Sequence, residues 1–134
     1  MKAIITYNEI LDFVEHKFRV RPILSRINKR TLEVSYRPVQ FMPAITIGLC
    51  VESVNQDKVI LSYICNPAIE MMVGGVIAYF KQMIPDGIDV DTTRKQVNIY
   101  PKRIEQLKEA LNYVALSDIA FEEDSVNVTV LINM

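Results

Sequence analysis

Tryptophan is absent from this chain, histidine occurs once and cysteine only twice. A histidine-type metal centre needs several imidazole or carboxylate companions at set spacings, and His16 has none. A Ser-His-Asp set would have to use the same His16, and no nucleophile is marked. The chain contains no G-x-G-x-x-G, no G-x-x-x-x-G-K-[ST] and no G-x-S-x-G, the spacings that shape phosphate-cradling loops and nucleophile elbows. Asp86, Asp89 and Asp91 form a close acidic group, but they lack the D-x-[DN]-x-[DN]-G order of a calcium loop. They read as a helix stop followed by a polar turn. No catalytic residue, metal or cofactor is therefore assigned, and the chain is read as non-enzymatic.

A long apolar run is also missing. The most apolar segment, Ala68 to Phe80, has thirteen residues and includes Glu70, short of the ~20 a spanning helix needs. The opening MKAIITYNEI lacks the apolar core of a signal peptide, so the expected compartment is the cytoplasm. Cys50 and Cys65 fit reducing conditions. On the hairpin expected around Asn55–Asp57, matching the apolar faces sets Leu49 against Tyr63 and Val51 against Leu61. The two thiols then point to opposite sides of the sheet, too far apart for a disulfide. Fifteen basic residues balance sixteen acidic ones, giving a net charge of −1. That balance, with no exposed aromatics interleaved among the basic residues, argues against a general nucleic-acid binder.

What the chain does have is apolar content. Half of its 134 residues are hydrophobic, enough for one folded domain over residues 1–134 that buries about two thirds of its surface without staples. Thr6-Tyr7-Asn8-Glu9 has the form of a capping box. Tyr7, Ile10, Leu11, Val14 and Phe18 follow at helical spacing, with His16 on the polar side. Alternating strands come next: Pro22–Ile27 and Thr31–Arg37 about the turn Asn28-Lys29-Arg30, then Ile45–Val51 and Val59–Tyr63. Asn66-Pro67 opens a helix expected to run to Ile84, apolar nearly all round. Its Gly74-Gly75 pair costs roughly 1 kcal/mol per glycine against alanine, so a close neighbour is expected there. Ile88–Val90 and Val97–Ile99 form a third hairpin. Pro101 opens a third helix with the stripe Ile104, Leu107, Leu111 and Val114. A fourth hairpin turns at Glu122-Glu123-Asp124 and closes with Val126–Ile132. The predicted class is α+β, in the order α-ββ-ββ-α-ββ-α-ββ, with a curved antiparallel sheet around one long apolar helix.

Two features point beyond structure. Seven basic residues fall between Lys17 and Arg37 against the single acid Glu33, so this stretch carries +6 and the remainder −7. It suits anionic headgroups, nucleic acid or an acidic partner; the plainer reading is a solvated strand face paired with the acidic C-terminal half. The Met and aromatic content of the Pro67–Ile84 helix suits an adaptable apolar cavity; the plainer reading is ordinary core.

The long apolar helix, the alternating strands Ile45–Val51 and Val59–Tyr63, and the closing strand Val126–Ile132 resemble, in element order, a half-unit of the tubular lipid-binding (TULIP) superfamily. The resemblance carries no sequence motif and transfers no residue. It implies a lipid held in the groove between helix and sheet. The sequence reading is thus a binding module for an apolar, anionic-headed small molecule such as a lipid. Val73, Val76, Ile77 and Phe80 would line the site, with Arg19 or Arg21 near its mouth. The alternative is a protein-interaction or self-assembly module, in which the apolar excess forms a homodimer interface.

Overall fold

The structure is a computed structural model that describes residues 1–37, 44–55, 57–67, 70–71, 75, 84, 86–105 and 107–132. It opens with a strand, β1 (Lys2–Thr6), which runs directly into helix α1 (Tyr7–Phe18). Two hairpins follow: β2 (Ile23–Asn28) with β3 (Thr31–Tyr36), and β4 (Ile45–Val54) with β5 (Val59–Cys65). β6 (Ile88–Asp91) and β7 (Gln96–Ile99) form the next, then short 3₁₀ turns at Pro101–Arg103 and Ala110–Asn112, then β8 (Val114–Phe121) and β9 (Ser125–Ile132). All pairings are antiparallel. They make a six-stranded sheet, β2-β3-β4-β5-β7-β6, and a three-stranded sheet, β1-β9-β8. The α+β class and the four hairpins are as predicted, but the strands divide between two sheets.

Helix α1 forms where the sequence placed it. The Thr6 side chain accepts from the Glu9 N–H at 3.2 Å, and the Glu9 carboxylate accepts from the Thr6 N–H at 3.2 Å, so both arms of the capping box are closed. Tyr7 is buried, and Ile10, Leu11, Val14 and Phe18 are half-buried, while Glu9, Asp12, Glu15 and His16 face solvent. Arg19 ends the helix in the left-handed region at φ 63°, its N–H donating to the Glu15 carbonyl at 2.9 Å. Thr6→Ala removes one arm of the box and should lower stability by about 1 kcal/mol in a urea titration, while Thr6→Ser should cost a few tenths at most.

The main core lies between the two sheets and α1. Tyr7, Leu32, Val51, Phe121 and Val126 are buried together, with Leu24, Leu61, Ile119 and Val128 packed against them. One short segment joins the sheets at this point. The Lys29 carbonyl accepts from the Phe121 N–H at 2.8 Å, and the Arg30 carbonyl accepts from the Val51 N–H at 2.8 Å. The β2–β3 turn thus caps part of the outer edge of β8 while continuing the ladder of β4. Tyr7 adds a second tie: its N–H donates to the Asp124 carbonyl at 3.0 Å, and its hydroxyl donates to the Glu122 carbonyl.

Three expectations are corrected. The order begins with a strand, because Lys2–Thr6 pairs with β9 from Lys2↔Thr129 to Thr6↔Ser125. The third helix is replaced by two short 3₁₀ turns. Ile104 is extended (φ −82°, ψ 118°), which stops the first turn, and Val114 is taken up by β8 opposite Ile132. A narrow stripe carried by four residues is outcompeted by the ladder available to β-branched Val114. Among the described residues, the close neighbour expected at the glycine pair is not seen at Gly75, where an added Cβ would meet nothing within 4 Å. Gly74 lies outside the described residues, as does most of the predicted Pro67–Ile84 helix. Of that segment Pro67, Glu70, Met71 and Gly75 are helical, with the Glu70 N–H donating to the Asn66 carbonyl at 3.0 Å. Met71 is 86% exposed and Gly75 is also exposed, so these two positions face solvent rather than protein.

Candidate functional site

Of the residues assigned to a site from the sequence, Val73, Val76, Ile77 and Phe80 lie outside the described residues. Arg19 and Arg21 are found together, in an open hollow at the C-terminal end of α1 that they share with Asp12, Glu15 and His16. Arg21 is held within it. Its Nη1 donates to Asp12 Oδ1 at 2.9 Å and to Glu15 Oε2 at 3.2 Å, and these hydrogen bonds raise its pKa further. Arg19 makes no ion pair among the described residues. The hollow is polar and charge-balanced by its own acids.

One face of the six-stranded sheet is apolar. Register puts Leu32, Leu49 and Tyr63 in one row on this face, with Leu24, Val34 and Ile47 in the row on one side and Val51, Leu61, Val97 and Val90 in the row on the other. At one end Leu32 and Val51 enter the core; beyond it Val34, Tyr36, Ile45, Ile47 and Leu49 are each only half-buried. The opposite face carries Thr31, Glu33, Ser35, Thr46, Cys50 and Glu52. Cys50 pairs with Ser62 and Cys65 with Ile47, so the thiols lie on opposite faces, as predicted, and both are free. Burial raises the Cys65 thiol pKa, helped by the nearby Glu70 carboxylate. Neither effect favours a reactive thiolate.

A polar hollow of about 270 Å³ lies where the sheets meet, lined by Lys2, Lys29, Arg30, Asp118, Asn127 and Thr129 together with Ala120 and Glu122. Lys2, Thr129 and Asp118 form one row across the three-stranded sheet, and Asn127 and Ala120 lie side by side in the next. Arg30 spans the seam. Its Nη1 donates to Asp118 Oδ1 at 2.5 Å and to the Ile119 carbonyl at 2.7 Å, and its Nη2 reaches Asp118 Oδ2 at 3.4 Å. A second hollow on the other side of this pair is lined by Glu52 and Ser117, at the register shifts of β4 and β8. Bulges of this kind interrupt pairing and re-aim side chains. Of these groups only Lys29 and Arg30 belonged to the basic run noted in the sequence. Lys2 sits on the unforeseen strand. Asn127 and Thr129 were legible as the polar alternates of Val126, Val128 and Val130.

The hydrogen bonds from Arg30 are the main reason the Asp118 carboxyl pKa lies below its ordinary value. A carboxylate with a lowered folded pKa adds stability above its unfolded pKa of about 3.9 and loses it as the pH falls through the folded value. Asp118→Asn should therefore lower the urea midpoint at pH 7, with the gap to the parent closing as the pH falls below about 4. Because the pair is half exposed, the gap should be small.

Three residues of the basic run, Arg21, Arg26 and Arg30, are paired with acids. Arg26 lies 3.9 Å from both Glu122 and Glu123, and Arg30 holds Asp118. These contacts join the basic N-terminal stretch to the acidic C-terminal strands, as the plainer reading of the run required. The acidic group is structural too: Asp86 pairs with Arg103 at 2.7 Å, and Asp91 Oδ1 accepts from the N–H groups of Thr93 and Arg94 at 3.1 Å. Among the described residues no three His, Cys, Asp or Glu side chains are grouped to hold a metal ion, and no helix is long and apolar enough to cross a membrane. No family model matches the chain, and neither the curated proteins nor the solved structures provide a match.

Proposed function

We propose that this chain is a non-enzymatic binding module for an apolar small molecule of the lipid class, seated on the apolar face of the six-stranded sheet. The observation that supports the reading most is the extension of that face beyond the core through Val34, Tyr36, Ile45, Ile47 and Leu49, all half-buried. Apolar area left accessible in a row of strands is a standing driving force for association, at about 25 cal/mol per Å² removed from water. Val73, Val76, Ile77 and Phe80 are the sequence's candidates for the opposing wall, and the likeness in element order to the tubular lipid-binding superfamily belongs to the same proposal. Arg21 is neutralised by Asp12 and Glu15, which leaves Arg19 as the better partner for an anionic headgroup. Native mass spectrometry with organic extraction tests the reading. A co-purifying acyl-chain compound, or saturable uptake of a fluorescent fatty acid, is the expected result. A protein that is empty as purified and takes up no fatty acid overturns it.

A second reading, self-association, draws on the free edge of β1. Strand parity turns the backbone groups of Lys2 and Ile4 away from β9, and Ile4 is 64% exposed. Edges of this kind template pairing with another strand. Light scattering on the eluting protein separates the readings: a dimer without bound lipid supports this one.

A further inference from the structure

We propose that the hollow at the seam of the two sheets is a binding site for a small oxyanion, a carboxylate or a phosphate. This site is separate from the apolar face and does not depend on the reading above. Three cationic side chains from two sheets line it: Lys2 from β1, and Lys29 and Arg30 from the β2–β3 turn. Its two acids are already engaged, Asp118 by Arg30 at 2.5 Å and Glu122 by Arg26 at 3.9 Å. Neither Lys2 nor Lys29 makes an ion pair among the described residues, although the Lys2 charge acts at longer range on Asp118 and helps to lower its pKa.

Arg30 gives the site its rigidity. Of the five N–H donors of a guanidinium, Arg30 uses two on Nη1 and one on Nη2 to hold Asp118 and the Ile119 carbonyl. Nε and the second Nη2 hydrogen are left, on a side chain already fixed in place. Donors held in advance lose little freedom on binding, and hydrogen bonds from charged donors to an oxyanion are the strong ones. Thr129 adds a hydroxyl from the same row as Lys2, and Ala120 keeps the neighbouring row low. A volume of about 270 Å³ falls at the lower end of ligand sites, which selects a small anion. The three cations disfavour a metal ion.

Titration of ¹⁵N-labelled protein with sodium phosphate, and separately with sodium acetate, against sodium chloride at equal ionic strength tests the proposal. The expected result is saturable movement of the Lys2, Lys29, Arg30 and Thr129 amide signals with phosphate or acetate and not with chloride. The stronger anion identifies the class. Lys29→Ala should weaken binding about tenfold or more, and Lys29→Arg should restore most of it. The Lys29 contact that holds β8 is made by its carbonyl, so the alanine variant keeps the seam. Lys2→Ala on the other sheet should act in the same direction. Equal movement with chloride, no saturation with either anion, or unchanged affinity in both alanine variants would overturn the proposal.

Discussion

Phe121→Ala should be the most damaging single substitution in this chain, costing about 3–5 kcal/mol. The ring is buried with Tyr7, Leu32, Val51 and Val126, residues drawn from α1, both sheets and the last strand. Truncation opens a cavity at the one place where all of these meet. The backbone there is fixed by the Phe121 N–H bond to the Lys29 carbonyl, so the walls cannot collapse inward freely. Against a typical total of 5–15 kcal/mol, the loss is a large fraction of the stability and should lower the urea midpoint sharply. Phe121→Leu, which keeps most of the volume, should retain the fold at a cost below that of alanine. An alanine variant within 1 kcal/mol of the parent would show that the sheets are held together elsewhere.

Gly87→Ala should rank second, and for a different reason. Gly87 precedes β6 with φ +98°, a conformation that side-chain-bearing residues rarely adopt. Its carbonyl accepts from the Tyr100 N–H, which fixes that backbone. A methyl group would meet Ile104 Cγ1 at 2.9 Å, the Tyr100 carbonyl at 3.0 Å and the Arg103 backbone at 3.2 Å. Strain of this kind costs about 1–3 kcal/mol and overpacking a similar amount, so about 3 kcal/mol is expected from a urea or thermal melt. Ile104→Ala relieves one of the three contacts, so the double variant should lose less than the sum of the two single ones. Strict additivity would show that the Ile104 contact contributes nothing and that the conformation and the two backbone contacts carry the effect.

The sequence was a good guide wherever a local signal and its partner lie close together. The T-x-x-E box placed α1, the polar turns placed four hairpins, and matching the apolar faces of Ile45–Val51 and Val59–Tyr63 fixed the register Leu49↔Tyr63 and Val51↔Leu61 that the structure has. It failed where the partner is distant. Ile4, Ile5 and Thr6 are β-branched, but so short a run has no hairpin partner beside it; what makes it a strand is β9, at the far end of the described chain. Ile104, Leu107, Leu111 and Val114 carry helical spacing, yet Val114 pairs with Ile132. The seam hollow is assembled from β1, the β2–β3 turn, β8 and β9, so no window of sequence contains it. The apolar quartet Val73, Val76, Ile77 and Phe80 was read from periodicity and lies outside the described residues.

The pairing of β1 with β9 has a consequence for how the protein is made. Every other described element lies between these two strands in the sequence, and closing so long a loop carries an entropic cost and a slow rate. While the ribosome is still adding β8 and β9, the six-stranded sheet lacks Phe121 and Val126, the side chains that cover its inner end. The nascent chain therefore passes through a stage with an open apolar sheet and an unpaired first strand, the kind of species that chaperones bind and that aggregates when they are scarce.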